Sequence, residues 1–330
     1  MKQMTPQQMS PEFNLIQQYF TRPSHHTKLG VGDDAALISP SAGMELAISA
    51  DMLVADTHFF SDADAYSIGW KSLAVNVSDM AAMGANPKWV TLAIALPEIN
   101  HAWLAEFSRG LFACAKEFDV DLIGGDTTRG PLTISVQIMG EVPAGQAIKR
   151  SGAKLEDDIW VSGCIGAAAT GLAHLQKKVV MPAGELQIGL AALHTPQPRV
   201  ALGLALSTIA NSCIDISDGL LADLGHILEA SQLSARLDLA LIPSLDFIHH
   251  NLQQPDFQHY LLAGGDDYEL CFTAAKSSRE KIVQLSQTLG LPLTRIGATC
   301  QSTTDKQAHI IVEYQQQAIH IAKKGFDHFD

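Results

Sequence analysis

The sequence predicts an α/β protein of the α+β type, organised as two mixed α/β domains. Three observations carry that expectation. Between residues 11 and 140, apolar runs of strand length alternate with segments of helical period, as in a layered sheet-and-helix domain. The second half mixes strands and helices again, and its Asp-rich turns echo those of the first. A chain of 330 residues is also long for one core and comfortable for two. The basic cluster Ile148-Lys149-Arg150-Ser151-Gly152-Ala153-Lys154 interrupts an acidic chain. We place the domain boundary there, giving domains at 1–147 and 148–330.

Each element has its own signal. Phe13, Leu15 or Ile16, and Phe20 space out a short helix over 11–20, and Gly30 to Leu37 forms a Gly-Asp-Asp loop. Glu45 to Ser49 reads as a strand with Asp51 at its end, and Asp51 to Phe59 as a second strand reaching His58. Over 65–85, Trp70, Leu73, Ala74, Val77, Met80 and Ala81 recur at helical spacing. Ser72, Asn76 and Asp79 make a separate polar stripe on that helix, either a solvated face or a carboxylate aimed into a site. Trp89 to Leu96 is a buried strand closed by Pro97, and Ala102 to Phe118 a helix with Leu104, Phe107, Leu111 and Ala115 on one face. Asp121 to Gly130 follows as strand, bare Gly-Gly backbone, then carboxylate and hydroxyls in a loop, before a strand at Leu132 to Gly140. Ile159 to Ser162 opens the second domain and turns through Gly163 to Ala169 into a helix of small residues. His194 to Arg199 is a proline-rich connection. Ile214-Asp215-Ile216-Ser217-Asp218-Gly219 leads into a helix bearing Leu220, Leu224, Ile227 and Leu228. Gly264-Gly265-Asp266-Asp267 enters an alternating strand at Tyr268 to Thr273, and a helix at 279–289 and two short strands complete the chain.

Bulk composition narrows the function. A net charge of -13 disfavours nucleic acid and anionic membranes as partners. The longest apolar runs, Trp89 to Leu96 and Val200 to Leu206, fall far short of the roughly 18 residues of a membrane span. Met1-Lys2-Gln3 leads into a polar segment unlike a signal peptide. Cys114, Cys164, Cys213, Cys271 and Cys300 are scattered and form no CxxC pair, which points to free thiols in a reducing cytoplasm.

The chemistry lies in the aspartates. Asp33, Asp34, Asp51, Asp79, Asp126, Asp215 and Asp218 occupy loop or site-facing positions, with Asp266 and Asp267 as further candidates. Each alone reads as a turn residue or a helix cap more often than as a ligand. Together they suit a small hard cation, because Mg²⁺ takes oxygen ligands and shares its shell between carboxylates, water and phosphate. Cations and a polyphosphate would relieve the mutual repulsion of such a set. Other chemistries lack their residues: there is no GxxxxGK[ST], no HExxH and no GxSxG, and Gly30 to Ala35 is a poor dinucleotide turn. A two-carboxylate glycosidase stays open, although it needs far fewer aspartates.

At this point the chain is identified as resembling the thiamine-monophosphate kinase family, within the superfamily of aminoimidazole ribonucleotide synthetase and selenophosphate synthetase. The likeness runs nearly end to end, through Glu12 to Ile16, Gly32 to Ala36, Asp51 to Phe59, Asn76 to Ala85 and Gly124 to Arg129. It continues in Arg150 to Lys154, Pro196 to Arg199, Ile214 to Leu220, Asp267 to Leu270 and Gly325-Phe326. The resemblance implies ATP-dependent phosphorylation of thiamine monophosphate to thiamine diphosphate, with several Mg²⁺ ions. It assigns Asp34, Ser49, Ala50, Asp51, Asp79, Asp126, Asp215 and Asp218 to metal, with Ala50 able to offer only its carbonyl where the family often has a hydroxyl residue. ATP falls to Gly125, Asp126, Arg150 and Ser217, with Arg109 as an additional candidate, and the substrate to His58, Asp266 and Phe326. Asp126 and Arg150 are the catalytic pair. Asp266 stands where the family usually has Glu, one methylene longer, and Lys154-Leu155-Glu156-Asp157 replaces a usual Lys-Pro-Gly-Asp turn. The resemblance also implies a homodimer in which N-terminal sheets pair across a two-fold axis, with the second domain completing the nucleotide and substrate site. The alternatives are another ATP-dependent enzyme of the superfamily, a ribonucleotide cyclo-ligase or a selenophosphate-type synthetase, and a non-catalytic nucleotide–metal sensor.

Overall fold

The computed structural model describes residues 10–302, 308–319, 321 and 324–329; the polar start Met1-Lys2-Gln3 lies outside them. The chain divides into two compact units, Met1–Met80 with Asn86–Gly145, and Ala81–Ala85 with Gln146–Asp330.

In the first unit, α1 (Pro11–Leu15) runs into a π-helical turn at Ile16–Phe20 and precedes β1 (Met44–Val54), α2 (Ala65–Ala82) and β2 (Asn86–Leu96). Then come α3 (His101–Glu117), β3 (Asp121–Arg129) and β4 (Thr133–Pro143). The strands form one sheet in the order β1-β4-β2-β3. Residues of α2 and α3 bury one face of it: Leu73, Val77, Met80, Leu104, Phe107 and Leu111 are closed off with Leu53, Ile134, Val136, Ile138, Leu92 and Ile94. On the opposite rows of β1, Met44, Leu46, Ile48 and Met52 are exposed.

Two readings from the sequence change. β1 is a single strand of 11 residues rather than two, because its antiparallel pairing with β4 runs unbroken from Met44↔Pro143 to Val54↔Thr133. Asp51 is therefore mid-strand, and His58 belongs to the turn that follows. The Gly-Gly-Asp-Thr-Thr segment is likewise strand, not loop. It pairs in parallel with β2 as far as Leu96↔Arg129, after a register shift between Val90 and Thr91.

The second unit holds β5 (Asp158–Ser162), α4 (Ala167–Leu175), α5 (Ala183–His194), α6 (Val200–Leu206), β6 (Ser212–Asp215), α7 (Leu220–Ser231) and β7 (Leu233–Asp238). These are followed by α8 (Asp246–His249), α9 (Pro255–Ala263), β8 (Leu270–Ala274), α10 (Arg279–Leu289), β9 (Leu293–Gln301), β10 (Ile310–Tyr314) and β11 (Gln317–Ile319). Among the described residues its strands form one sheet in the order β11-β10-β7-β9-β5-β8-β6. The main core joins Ile159, Val161, Ile214, Leu224, Ile227 and Ile296, and a second cluster gathers Trp160, Leu202, Leu206, Phe272 and Ile282. β6 and β8 are buried along their whole length, so the loops at their ends start from fixed points.

Candidate functional site

In the first unit, β1 and α2 meet through polar groups. The Ser49 hydroxyl donates to Asp79 Oδ2 at 2.6 Å, and the Asp51 N–H donates to Asn76 Oδ1 at 3.2 Å. Asn76 in turn donates from Nδ2 to the Ser72 carbonyl at 3.1 Å. Ser72 and Asn76 are fully buried. The polar stripe of α2 is therefore not a solvated face; it faces β1 and fixes Asp79 against Ser49. A hydroxyl and two carboxylates, Ser49, Asp51 and Asp79, are grouped in this way. Ala50 alternates to the other side of the strand, opposite Gln137. Asp34 is exposed in the loop closed by the Leu29↔Leu37 bridge.

β3 carries Gly125 and Asp126. The row Asp51–Val136–Leu92–Gly125 crosses the sheet, and Asp126 falls in the next row with Ala93, Ser135 and Met52. By strand alternation Asp126 thus stands on the opposite face from Asp51. Three strand spacings separate β3 from β1, about 14 Å. The unit does not bring Asp126 to Asp51 and Asp79. Gly125 has φ +151, and a Cβ there would overlap the Leu92 carbonyl. Only glycine fits so near β2. His58 Nδ1 accepts the Val54 N–H at 3.0 Å, so the neutral ring carries its proton on Nε2. Arg109 is exposed on α3, with its guanidinium on Glu106 and 4.1 Å from the centroid of the Tyr66 ring. It borders an open cavity of about 530 Å³ with Tyr19, Arg22, Phe112 and Lys116, whose cations suit an anion.

The second unit gathers its candidates more tightly. Asp215 ends β6, nearly buried, and the chain then turns through Ile216, Ser217, Asp218 and Gly219 into α7. The carbonyls of Ile216, Ser217 and Asp218 accept the N–H groups of Tyr268, Asp266 and Phe326 at 2.8, 2.8 and 3.0 Å. Backbone pairing alone thereby draws together Asp215, Ser217, Asp218, Asp266 and Phe326. Gly265, Asp266 and Tyr268 all have left-handed φ, at 69°, 64° and 51°. Such strain in non-glycine residues persists where the surroundings over-determine it; here the ladder to residues 216–218 and the Tyr268 hydroxyl, donating to Asp266 Oδ1 at 3.1 Å, do so. Arg150 is exposed, and its carbonyl accepts the Ser231 hydroxyl at the end of α7 at 3.3 Å.

Three acidic residues hold this region; of these only Asp267 was among the carboxylates singled out in the sequence, and Asp223 and Glu269 were not. Asp223 Oδ2 accepts the N–H groups of Ser217, Asp218 and Gly219 at 3.0, 3.1 and 3.0 Å. Burial and the neighbouring Asp218 charge push its carboxyl up to about 7 despite those donors. Asp267 is buried, and both its oxygens accept the Gly166 N–H at the start of α4 at 3.0 Å; burial raises its pKa well above the usual range. Glu269 accepts from Ser162 at 2.5 Å and from Arg199 through two nitrogens, Nε at 2.7 Å and Nη2. The only sequence signal for Asp223 was an acidic residue in a helix's first turn. Its partners are backbone amides, which leave no mark in a sequence.

Among the described residues, no three His, Cys, Asp or Glu side chains are grouped closely enough to hold a metal ion. The donor chemistry nevertheless fits Mg²⁺: Ser49, Asp51, Asp79, Asp215 and Asp218 offer oxygen only, on frames fixed by the bonds above.

Residues 32–142 match the family described as AIR synthase related protein, N-terminal domain, and 156–307 its C-terminal domain. Thiamine-monophosphate kinase of Escherichia coli (strain K12) is 44% identical over 322 residues, spanning 96% of this chain and 98% of its own. The chain belongs to the thiamine-monophosphate kinase family. In crystal form, thiamine-monophosphate kinase from Stenotrophomonas maltophilia K279a superposes with a TM-score of 0.80 at 46% identity, over 86% of this chain and 91% of that one. AaThiL, solved in complex with AMPPCP and TMP, matches with a TM-score of 0.75 at 26% identity, over 88% and 89% of the two chains.

Proposed function

We propose that this protein transfers the γ-phosphoryl group of ATP to thiamine monophosphate, giving thiamine diphosphate and ADP. The observation that carries the reading is the 44% identity, over essentially the whole of both chains, to a thiamine-monophosphate kinase. AaThiL, a more distant relative, was solved with AMPPCP and TMP, a donor analogue and a ligand that fit the same reaction.

The transfer is direct and in line. A phosphate monoester has its second pKa near ~6 and is already largely dianionic at neutral pH, so the acceptor needs no general base. The work left to the protein is to orient two polyanions and offset their repulsion. In the first unit, Ser49, Asp51 and Asp79 would hold Mg²⁺, with Asp34 and the Ala50 carbonyl as further ligands, while Asp126, on the other face of the sheet, would hold metal apart from them; in the second, Asp215 and Asp218 would do so. When bound, several Mg²⁺ ions neutralise charge on the transferring phosphoryl group. Gly125 allows backbone approach to the nucleotide, and Ser217, Arg150 and Arg109 contact ATP, Arg150 facing the phosphates. His58, Asp266 and Phe326 hold the substrate, the Phe326 ring offering a π face to the thiazolium cation. Asp266 is one methylene shorter than the usual Glu, and its backbone is tied to Ser217.

The enzyme works as a cytoplasmic homodimer. Free cysteines support the reducing compartment, and the exposed row Met44, Leu46, Ile48 and Met52 supports pairing of N-terminal sheets.

The test is formation of thiamine diphosphate by purified protein with ATP, Mg²⁺ and thiamine monophosphate. Absence of product under those conditions would sink the reading. Turnover of a ribonucleotide or of selenide instead would point to another branch of the superfamily.

A further inference from the structure

The loop between β6 and α7 has the outward form of an anion cradle. Three successive N–H groups, of Ser217, Asp218 and Gly219, stand at the amino end of a 12-residue helix, where backbone dipoles ordinarily favour phosphate. All three donate to Asp223 Oδ2, a side chain from the first turn of that same helix with 2% of its surface exposed. The loop's carbonyls are spent as well, on Asp266, Tyr268 and Phe326, and the Ile216 N–H donates to the Glu269 carbonyl at 2.8 Å. Every backbone donor and acceptor from Ser217 to Asp218, with the Ile216 pair and the Gly219 N–H, therefore has a partner inside the unit. What the half-buried loop has left to offer a ligand is the Ser217 hydroxyl and the Asp218 carboxylate.

We infer that Asp223 is a positioning residue: by occupying the amino end of α7 it cancels an anion site and turns the loop into one that presents oxygen ligands to a cation. Resting on the kinase reading, this deepens it by saying how Ser217 and Asp218 are aimed. The side chain is spent on backbone amides, and it acts through those of Ser217 and Asp218, which the kinase reading places on ATP and on metal. Three bonds converging on one oxygen fix the three peptide planes relative to α7, and the direction of the Asp218 side chain follows from them. Without the carboxylate, the amides would turn towards solvent or towards a phosphate, and the carboxylate of Asp218 would lose its aim.

The two substitutions that separate this role from a structural one are Asp223→Ala and Asp223→Asn. The asparagine keeps an acceptor oxygen for the amides, whereas alanine removes it. Amide hydrogen exchange over 214–220, Mn²⁺ binding by calorimetry as a stand-in for Mg²⁺, and the KM for ATP would be measured in the full chain. Thermal unfolding would serve as the check on folding. Asp223→Ala is expected to lose protection at Ser217 to Gly219 by at least about 100-fold and to weaken Mn²⁺ binding and ATP KM by about 10-fold; these sizes correspond to a few hydrogen bonds. Asp223→Asn should stay within about 3-fold of the parent on all three. If alanine deprotects the loop yet leaves Mn²⁺ affinity and ATP KM within about 2-fold, the positioning role is wrong. It is equally wrong if a folded Asp223→Asn loses as much Mn²⁺ and ATP affinity as is expected of alanine, an outcome that decides the matter even if alanine fails to fold. Exchange and Mn²⁺ binding need no turnover, so parent protein that bound Mn²⁺ and ATP but made no thiamine diphosphate would overturn the kinase reading and leave this inference standing on its own measurements.

Discussion

Gly125→Ala is the perturbation whose size can be worked most directly from the geometry, with Gly124→Ala as its internal control. At Gly125 the backbone has φ +151, and an added Cβ would overlap the carbonyl oxygen of Leu92 and crowd its carbon and nitrogen. Leu92 is mid-strand in β2 and paired on both sides, so it cannot retreat without parting β2 from β3. Holding alanine in that backbone region costs about 1–3 kcal/mol, and forcing volume into a packed site adds about 1–3 kcal/mol. A loss of about 4 kcal/mol is therefore expected, a fall of roughly 8–16 °C in Tm for a domain of this size. One residue earlier the outcome reverses. A Cβ on Gly124 meets only Thr91 Cγ2 at 4.0 Å and needs no left-handed backbone. Gly124→Ala should be neutral or stabilising by about 0.4–1 kcal/mol, through the unfolded chain. Urea unfolding followed by circular dichroism, with calorimetry for Tm, measures both. A Gly125→Ala protein within about 1 °C of the parent would refute the close approach of β3 to β2.

Asp126→Asn should lower turnover at least about 100-fold with Tm nearly unchanged, since the side chain is exposed and the role proposed for it rests on its charge; near-parental rates would remove Asp126 from the metal set. Asp158 is buried, which raises its pKa, but bonds and charge from Arg279 and Arg295 outweigh burial and hold it below the ordinary value. A depressed carboxylate contributes stability above its unfolded pKa of about 4 and loses it as pH falls through the lower folded pKa. Asp158→Asn should thus cost about 1–2 kcal/mol at neutral pH, because the arginines left behind are half-exposed, and the gap to the parent should close in strong acid; urea midpoints across that range that stay parallel would contradict the assignment. Ile48→Lys, on the exposed row of β1, should shift sedimentation from dimer to monomer without loss of fold, and an unchanged sedimentation coefficient would place any dimer contact elsewhere.

How much of this was legible beforehand depends on which partner each residue uses. Side chain packed on side chain leaves a period, so α2 and α3 and the sheet beside them could be read from Leu73, Val77, Leu104 and Phe107. Backbone pairing leaves none. Asp51 looked like a strand end because a carboxylate rarely sits mid-strand, yet β4 carries β1 straight past it; Gly124-Gly125 looked like a loop because glycine weakens strands, yet β2 holds β3 through it. α5 was invisible for a related reason: Gly184 and Gly189 break its pattern, and Gly189 is there because α5 approaches α4, where a Cβ would meet the Ala167 carbonyl at 3.0 Å.

The aspartates show the same division at the level of chemistry. Asp266 and Asp267 are neighbours of identical type, and nothing in their order says which one the fold consumes. Asp267 is buried and spent on the Gly166 N–H, whereas Asp266 is half-buried beside the Phe326 segment. Asp218 and Asp223 divide in the same way, one towards the site and one holding three amides. An acidic loop of this kind therefore contains two populations of carboxylate, and the sequence counts them together. What separates them is the number of backbone N–H groups each accepts. A carboxylate that accepts two or three has little left for a cation, and its removal should disturb the loop before it disturbs the metal. For that reason the residues that match a family's ligand pattern and the residues that make the pattern work are different sets. Asp223 belongs to the second.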